Sequence, residues 1–152
     1  YDDLGVAYNQ SGDIEKSIEA HRMAILTDST FASAYTHLGI AYSRIGKREE
    51  AIRKHRVAIE IDPVLSQAHY NLGAEYLKLG KLSLATESFD RAITIDSEYS
   101  LAHKALAKLY RYQGEIKIAE THDRLAKKAS DTKLNNSKNL SAMPWATGTP
   151  VE

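Results

Sequence analysis

The six histidines are the residues whose chemistry first raises the question of a metal site. Two imidazoles that share a Zn²⁺ ion must each place a nitrogen within about 2.1 Å of it. His21 and His55 are separated by 34 residues, as are His69 and His103. If that step is a helical repeat, such pairs lie roughly 10 Å apart, which is the spacing of packed helices. We therefore expect histidines that pack like aromatic residues, with no bound metal and no cofactor.

The sequence also lacks the patterns that are typical of a catalytic centre. It has no cysteine, no glycine-rich phosphate loop and no serine in a nucleophile-elbow pattern. The acidic pairs Asp2-Asp3 and Glu49-Glu50 are interpreted as helix-start charges, which the positive end of the helix dipole favours. We expect the protein not to be an enzyme.

Charge is the remaining chemical signal, and it is distributed unevenly. Twenty basic residues offset twenty acidic ones, which argues against a generally basic nucleic-acid binder. Residues 1–31 carry a net charge of −4, however, and residues 100–133 a net charge of +4. Lys104, Lys108 and Arg111 follow at four- and three-residue steps, on one helical face. They are candidates for holding an acidic segment of a protein partner; a solvated surface is the alternative, and no nucleic-acid partner is expected.

The elements that position these residues recur with a period of 34. Several residue types keep this step along the chain, and chance does not align so many classes. They are Gly12, Gly46, Gly80 and Gly114; Gly5, Gly39 and Gly73; Tyr8, Tyr42, Tyr76 and Tyr110; Leu4, Leu38, Leu72 and Leu106; and Ala24, Ala58, Ala92 and Ala126.

Each copy is predicted to be a pair of helices. In the third copy, Ala68, Leu72 and Tyr76 recur at four-residue steps, which is typical of one buried helical face. Gly80 follows where the first helix is expected to end in a left-handed residue, a conformation that glycine adopts without steric cost. A second apolar periodicity then runs from Leu82 to Ile95.

These residues resemble the tetratricopeptide repeat (TPR) family, whose 34-residue pattern contains an aromatic residue, Leu-Gly-x2-Tyr, Ala-x3-Phe, Ala and Pro. The resemblance covers residues 1 to about 131. The chain departs from this pattern at two kinds of position. His69 and His103 replace the early aromatic residue, and His21, His55 and Asp123 replace the phenylalanine. The matching residues are Tyr35, Leu38, Gly39, Tyr42, Ala51, Ala58 and Pro63 in the second copy, and Leu72, Gly73, Tyr76, Ala85, Phe89 and Ala92 in the third.

The resemblance implies an all-α fold, an α-solenoid of four 34-residue helix-turn-helix repeats in a right-handed superhelix. The expected repeats are residues 1–31, 32–65, 66–99 and 100–131, of which the first is incomplete at its N-terminus. Residues 132–152 are expected to form an irregular C-terminal tail, because they are polar, contain two prolines and show no helical periodicity.

The resemblance further implies a non-enzymatic interaction scaffold or adaptor, which binds a peptide segment of a protein partner in a concave groove lined by the first helices. The alternative is a permanently assembled structural or assembly-factor subunit of a larger complex, which docks through its convex face or its C-terminal tail. The groove candidates are Asn9, Thr36, His37, Arg44, Tyr70, Asn71, Lys78, Lys104, Lys108 and Arg111; the candidate tail anchors are Met143 and Trp145.

One well-known use of this family, the two-carboxylate clamp for chaperone tails, is not expected here. The clamp needs a lysine and an asparagine in the repeat before its central asparagine. Asn71 could be the central residue, but the preceding copy offers Thr36 and Ile40. Asn71 remains a candidate for hydrogen bonding to the backbone of an extended peptide.

Hydropathy and the chain's first residue bear on location. The mean hydropathy of −0.42 and the absence of a long uncharged apolar run predict no membrane insertion. The sequence begins at Tyr1 without an initiator methionine. A cytoplasmic location is favoured, while an N-terminal targeting segment and further upstream repeats are left open.

Overall fold

The structure, a computed structural model, describes the backbone of residues 1–141 and the side chains of residues 1–137. Every regular element in this part of the chain is an α-helix, which confirms the predicted all-α class. The helices are α1 Asp2–Ser11, α2 Ile14–Thr27, α3 Ala32–Arg44, α4 Arg48–Ile61, α5 Ser66–Lys78, α6 Leu82–Ile95, α7 Ser100–Tyr112 and α8 Ile116–Ser141.

The chain divides into two compact units, Tyr1–Ser97 and Glu98–Glu152. In the first unit α1 packs on α2, α3 on α4 and α5 on α6, and each pair also contacts the next. The first helices α1, α3 and α5 lie side by side, because α3 contacts both of the others. This stacking of helix pairs is that of an α-solenoid. In the second unit α7 packs against α8.

The repeated glycines end the first helix of each pair, as the sequence predicts. Gly12, Gly46, Gly80 and Gly114 have φ angles of +89°, +77°, +70° and +84°. The amide after each glycine donates a hydrogen bond of 2.8–3.0 Å to the carbonyl of the repeated tyrosine five residues earlier. This bond satisfies a carbonyl that the end of the helix would otherwise leave without a partner.

The repeated small residues bring the two helices of a pair close together. Ala58 and Ala92 are completely buried. Gly39 lies against the ring of His55, and Gly73 lies in the same way against the ring of Phe89. Histidine at the phenylalanine position therefore fills the space of an aromatic ring, as expected.

The prediction of an irregular tail from residue 132 is wrong for its first ten residues. Helix α8 continues without interruption to Ser141. Residues 116–143 contain neither glycine nor proline, and extending a helix that is already packed costs far less than nucleating one. Residues 142–152, which include Met143 and Trp145, lie outside the described residues. Among the described residues, no helix is long and apolar enough to cross a membrane.

Candidate functional site

The exposed side of α1, α3 and α5, which we call the first-helix face, contains most of the groove candidates. At its edge Arg44, the last residue of α3, donates to Oδ1 of Asn9 on α1 at 2.6 Å and to the Asn9 backbone carbonyl. One repeat later Lys78 donates to Oγ of Ser43 at 2.7 Å. Arg44 and Lys78 are 34 residues apart, as are Asn9 and Ser43. These side chains therefore tie neighbouring first helices together.

Glu75 is a buried carboxylate that the sequence analysis missed. Its Oε1 accepts hydrogen bonds from Ser43 at 2.6 Å and from Lys78 at 2.7 Å. Its Oε2 lies 3.5 Å from Nε of Arg48. Only 3% of Glu75 is exposed, so these cations compensate a charge that would be costly if left alone. The sequence does contain a signal for it, because Glu75 is a carboxylate at a position that is apolar in the other repeats. The equivalent residues are Ala7, Ala41 and Leu109.

A second cluster joins three helices where the first pair meets the second. Asp2, at the start of α1, accepts hydrogen bonds from Nδ1 of His21 on α2 at 2.8 Å and from Nδ1 of His37 on α3 at 3.0 Å. The centroids of the two imidazole rings are 5.4 Å apart. The side chains of Asp2 and His37 are 12% and 22% exposed, whereas that of His21 is fully buried. Burial lowers the pKa of His21, and the nearby carboxylate of Asp2 opposes this shift.

This Asp2–His21–His37 cluster corrects one step of the sequence analysis. That step compares only equivalent histidines in successive repeats, which lie too far apart to share an ion. The structure instead pairs residues at non-equivalent positions, and places one ligand atom from each of the three within 4.8 Å of the other two. The neglected signal is the packing of the phenylalanine position of one repeat against the first helix of the next.

The remaining candidates of the first unit differ in accessibility. Thr36 is fully buried and bonds to the Ala32 carbonyl within its own helix, so its assignment to an open groove is wrong. Tyr70 packs against the ring of Phe89 at 5.6 Å, and burial raises the pKa of its hydroxyl. Asn71 is partly exposed, while its Nδ2 has no hydrogen-bond partner among the described residues.

In the second unit the basic candidates all lie on α7, as predicted. Lys104 and Lys108 are exposed. Arg111 forms an ion pair of 2.5 Å with Asp123 on α8, so it contributes to the contact between the two helices. Two histidines of this unit also meet, with 2.9 Å between Nδ1 of His103 and Nδ1 of His122.

Comparisons with known proteins agree on the nature of the repeats. Profiles of the tetratricopeptide repeat match residues 34–63 and 66–99. No curated protein sequence matches the chain.

Solved structures share the arrangement of the helices. A crystal structure of MamA is 27% identical with a TM-score of 0.76, covering 88% of this chain and 78% of its own. A second MamA structure, from MSR-1, is 25% identical with a TM-score of 0.66, covering 86% and 75%. The first TPR domain of Spaghetti (RPAP3), bound to the HSP90 peptide SRMEEVD, is 20% identical with a TM-score of 0.70, covering 74% and 90%.

Four observations indicate the same family. They are the period of 34, the left-handed glycines, the stacked helix pairs of the first unit and the matching profiles. This chain is a tetratricopeptide repeat protein.

Proposed function

We propose that this TPR protein is a non-enzymatic interaction scaffold that binds an extended peptide segment of a protein partner on its first-helix face. TPR neighbours of similar fold support the general role of a protein-interaction scaffold. The finer proposal, a peptide on this face, rests on the surroundings of Asn71.

The amide of Asn71 is the observation that carries the proposal. Its Nδ2 has no acceptor within the described residues, and a buried donor without a partner costs roughly 1–3 kcal/mol. The amide group offers both a donor and an acceptor, which matches the alternating groups of a peptide backbone. Asn71 as a whole is partly exposed, so a rotation of its amide group brings the buried Nδ2 to a strand bound on the surface.

The residues around Asn71 favour a peptide with apolar side chains. Ile40, Ala74 and Leu77 are partly exposed on neighbouring turns of α3 and α5. A peptide laid across them would bury this apolar surface while its backbone bonds to Asn71. The fold neighbour RPAP3 is bound to an HSP90 peptide. We propose a different peptide here, because Thr36 is buried and Ile40 is apolar where the chaperone clamp needs polar ligands.

Panning a phage-displayed library of random dodecamers against the purified chain tests this function. We expect enriched peptides whose affinity falls at least about tenfold in Asn71→Ala, the effect of losing one or two hydrogen bonds. Arg91→Ala, an exposed change on α6, is the control and should bind normally. No enriched peptide, or equal binding by Asn71→Ala, contradicts the proposal.

A second candidate is an assembly subunit that docks through α8. Four of its apolar residues are 37–54% exposed, and two of them, Ile118 and Leu125, lie two turns apart on one side of the helix. We expect such a subunit to co-purify from its source with a partner at fixed stoichiometry. Leu125→Ser with Ile118→Ser should release that partner and Asn71→Ala should not; the opposite result favours the peptide-binding face. The exposed residues are Ile116, Ile118, Leu125 and Leu134.

A further inference from the structure

We propose that Asp2, His21 and His37 form a binding site for a divalent transition-metal ion, Zn²⁺ in particular, at the junction of the first and second helix pairs. Each residue comes from a different helix, α1, α2 and α3. A bound ion would therefore link the first helix pair to the second. This inference does not depend on the proposed peptide site.

The ligand types fit this ion. One carboxylate and two imidazoles are the kind of three-residue set that holds Zn²⁺ and leaves one position for water. Oxygen and nitrogen ligands of this kind suit zinc and other first-row divalent ions better than Ca²⁺ or Mg²⁺, which prefer oxygen alone.

The distances are close to those that an ion requires. Ligand atoms around a tetrahedral Zn²⁺ are about 3.3 Å apart when each bond is about 2.0–2.1 Å long. Oδ1 of Asp2 is 2.8 Å from Nδ1 of His21 and 3.1 Å from Nδ1 of His37. Each gap opens by a few tenths of an ångström when the ion binds the two Nδ1 atoms, because each neutral imidazole then carries its proton on Nε2.

The orientation of His21 directs its ligand atom into the cluster. Its ring lies against Gly5, at positions where an added Cβ would be 2.5–2.7 Å away, so the imidazole has little room to turn. Its Nδ1 points to Asp2, whereas its Nε2 is buried without a partner. The partial exposure of Asp2 and His37 leaves a path by which an ion and one water can enter.

The next repeat provides an internal comparison. The positions 34 residues after Asp2, His21 and His37 hold Thr36, His55 and Asn71. This set keeps one imidazole but has no carboxylate, so the fold itself does not require the metal ligands. The Asp-His-His combination therefore occurs at the first of these two junctions and not at the second.

The missing support for Nε2 of His21 limits the expected affinity. Acceptors that orient a ligating histidine improve metal binding by about 10–100-fold, and none contacts this nitrogen among the described residues. We therefore expect a micromolar rather than a nanomolar dissociation constant, and an ion that exchanges with its surroundings.

The test is a titration of the chelator-treated full chain with Zn²⁺ by calorimetry, and with Co²⁺ by its visible d–d absorption. We expect one ion per chain, a rise in the thermal midpoint, and slower amide hydrogen exchange in α1 when Zn²⁺ is present. His21→Phe and His37→Asn introduce the residue types that the chain has at equivalent positions of other repeats, Phe89 and Asn71. Both variants should therefore fold, and both should bind Zn²⁺ at least about tenfold more weakly. Circular dichroism checks their helix content.

Two control variants separate this site from the other histidines. His55→Phe removes the equivalent imidazole of the next repeat, and His122→Gln removes one of the paired histidines of the second unit. Both should retain the stoichiometry and affinity of the parent. The proposal is overturned if the parent shows no saturable binding at 100 times the expected micromolar range, about 0.1 mM. It is equally overturned if a folded His21→Phe or His37→Asn variant binds as the parent does.

Discussion

At the scale of single residues, the contact between a glycine and a ring determines how closely two helices approach. A Cβ placed on Gly39 would lie 2.5 Å from Cε1 of His55. The fourth pair shows the alternative, because Ala107 stands at the glycine position and Asp123 replaces the ring. Asp123 extends instead to Arg111. A methyl group is therefore accepted only where the ring is absent.

We predict that Gly39→Ala destabilises the protein by about 1–3 kcal/mol, the usual cost of overpacking. Alanine improves helix propensity by about 1 kcal/mol, but His55 is 1% exposed, so its ring has to displace packed neighbours to make room for the methyl group. In a His55→Ala background the clash is gone, so the same change should become neutral or stabilising. Urea unfolding of the four proteins measures this reversal. Equal effects of Gly39→Ala in both backgrounds would show that the contact is unimportant.

At the scale of elements, the repeated alanines set the contact between the second helix of a pair and its neighbours. Ala58 on α4 is completely buried, and its equivalents Ala24, Ala92 and Ala126 are 6%, 0% and 2% exposed. Because protein interiors are close-packed, a larger side chain at this depth requires its neighbours to move.

We predict that Ala58→Arg lowers the free energy of unfolding by about 3–5 kcal/mol, since it overpacks the contact and buries a charge without a partner. Glu60→Arg is the matched control, because residue 60 lies on the same helix and is exposed. Thermal unfolding followed by circular dichroism compares the two variants. An unchanged midpoint in Ala58→Arg would contradict the repeat register.

The basic side of α7 permits a prediction about an acidic ligand. Lys104 and Lys108 are exposed, whereas Arg111 already pairs with Asp123. If this helix holds an acidic segment, Lys104→Glu with Lys108→Glu should abolish binding of a fluorescent oligoglutamate peptide and preserve helix content. Binding by the parent should weaken with salt, which screens exposed charges over about 8 Å at physiological ionic strength. Binding that is insensitive to both changes would exclude this role for the two lysines.

The fold followed from the sequence because its signals are local and repeated. The glycine at position 80, for example, itself indicates a left-handed helix end. The alanine at position 58 occurs at the equivalent position of all four repeats. The sequence did not indicate where α8 ends, because polar residues such as Asn135 and Ser137 are compatible with a helix when they lie on its exposed face. Composition alone did not show that they continue a packed helix.

The sequence predicted the candidate site only in part, because the contacts of the site join residues from different repeats. The pairing of Arg44 with Asn9 depends on how α1 and α3 stack. The same stacking brings His21 to His37, which no comparison of equivalent positions reveals. Thr36 occupies a groove position of the family but is fully buried, because the family position does not indicate how closely the neighbouring helices pack around it.

At the scale of the whole molecule, helix pairs that contact mainly their neighbours make stability a sum of local terms. In the first unit, α3 and α4 lie between the pairs on either side. The contact around His55 therefore belongs to the central pair of that unit. A change in its energy should alter the unfolding of the entire unit, and pH provides such a change without a mutation.

Burial lowers the pKa of His55 from 6.5 to about 4, with Glu75 opposing and Lys78 assisting the shift. Between these values the unfolded chain binds a proton that the folded protein excludes, so stability falls as the pH falls from 6.5 towards 4. The full shift corresponds to a loss of roughly 3 kcal/mol. His55→Phe introduces the ring that Phe89 places beside Gly73, so it should remove this part of the pH dependence while keeping the packing. Urea unfolding of both proteins at a series of pH values measures the difference, and parallel curves between pH 6.5 and 4 would show that His55 does not contribute.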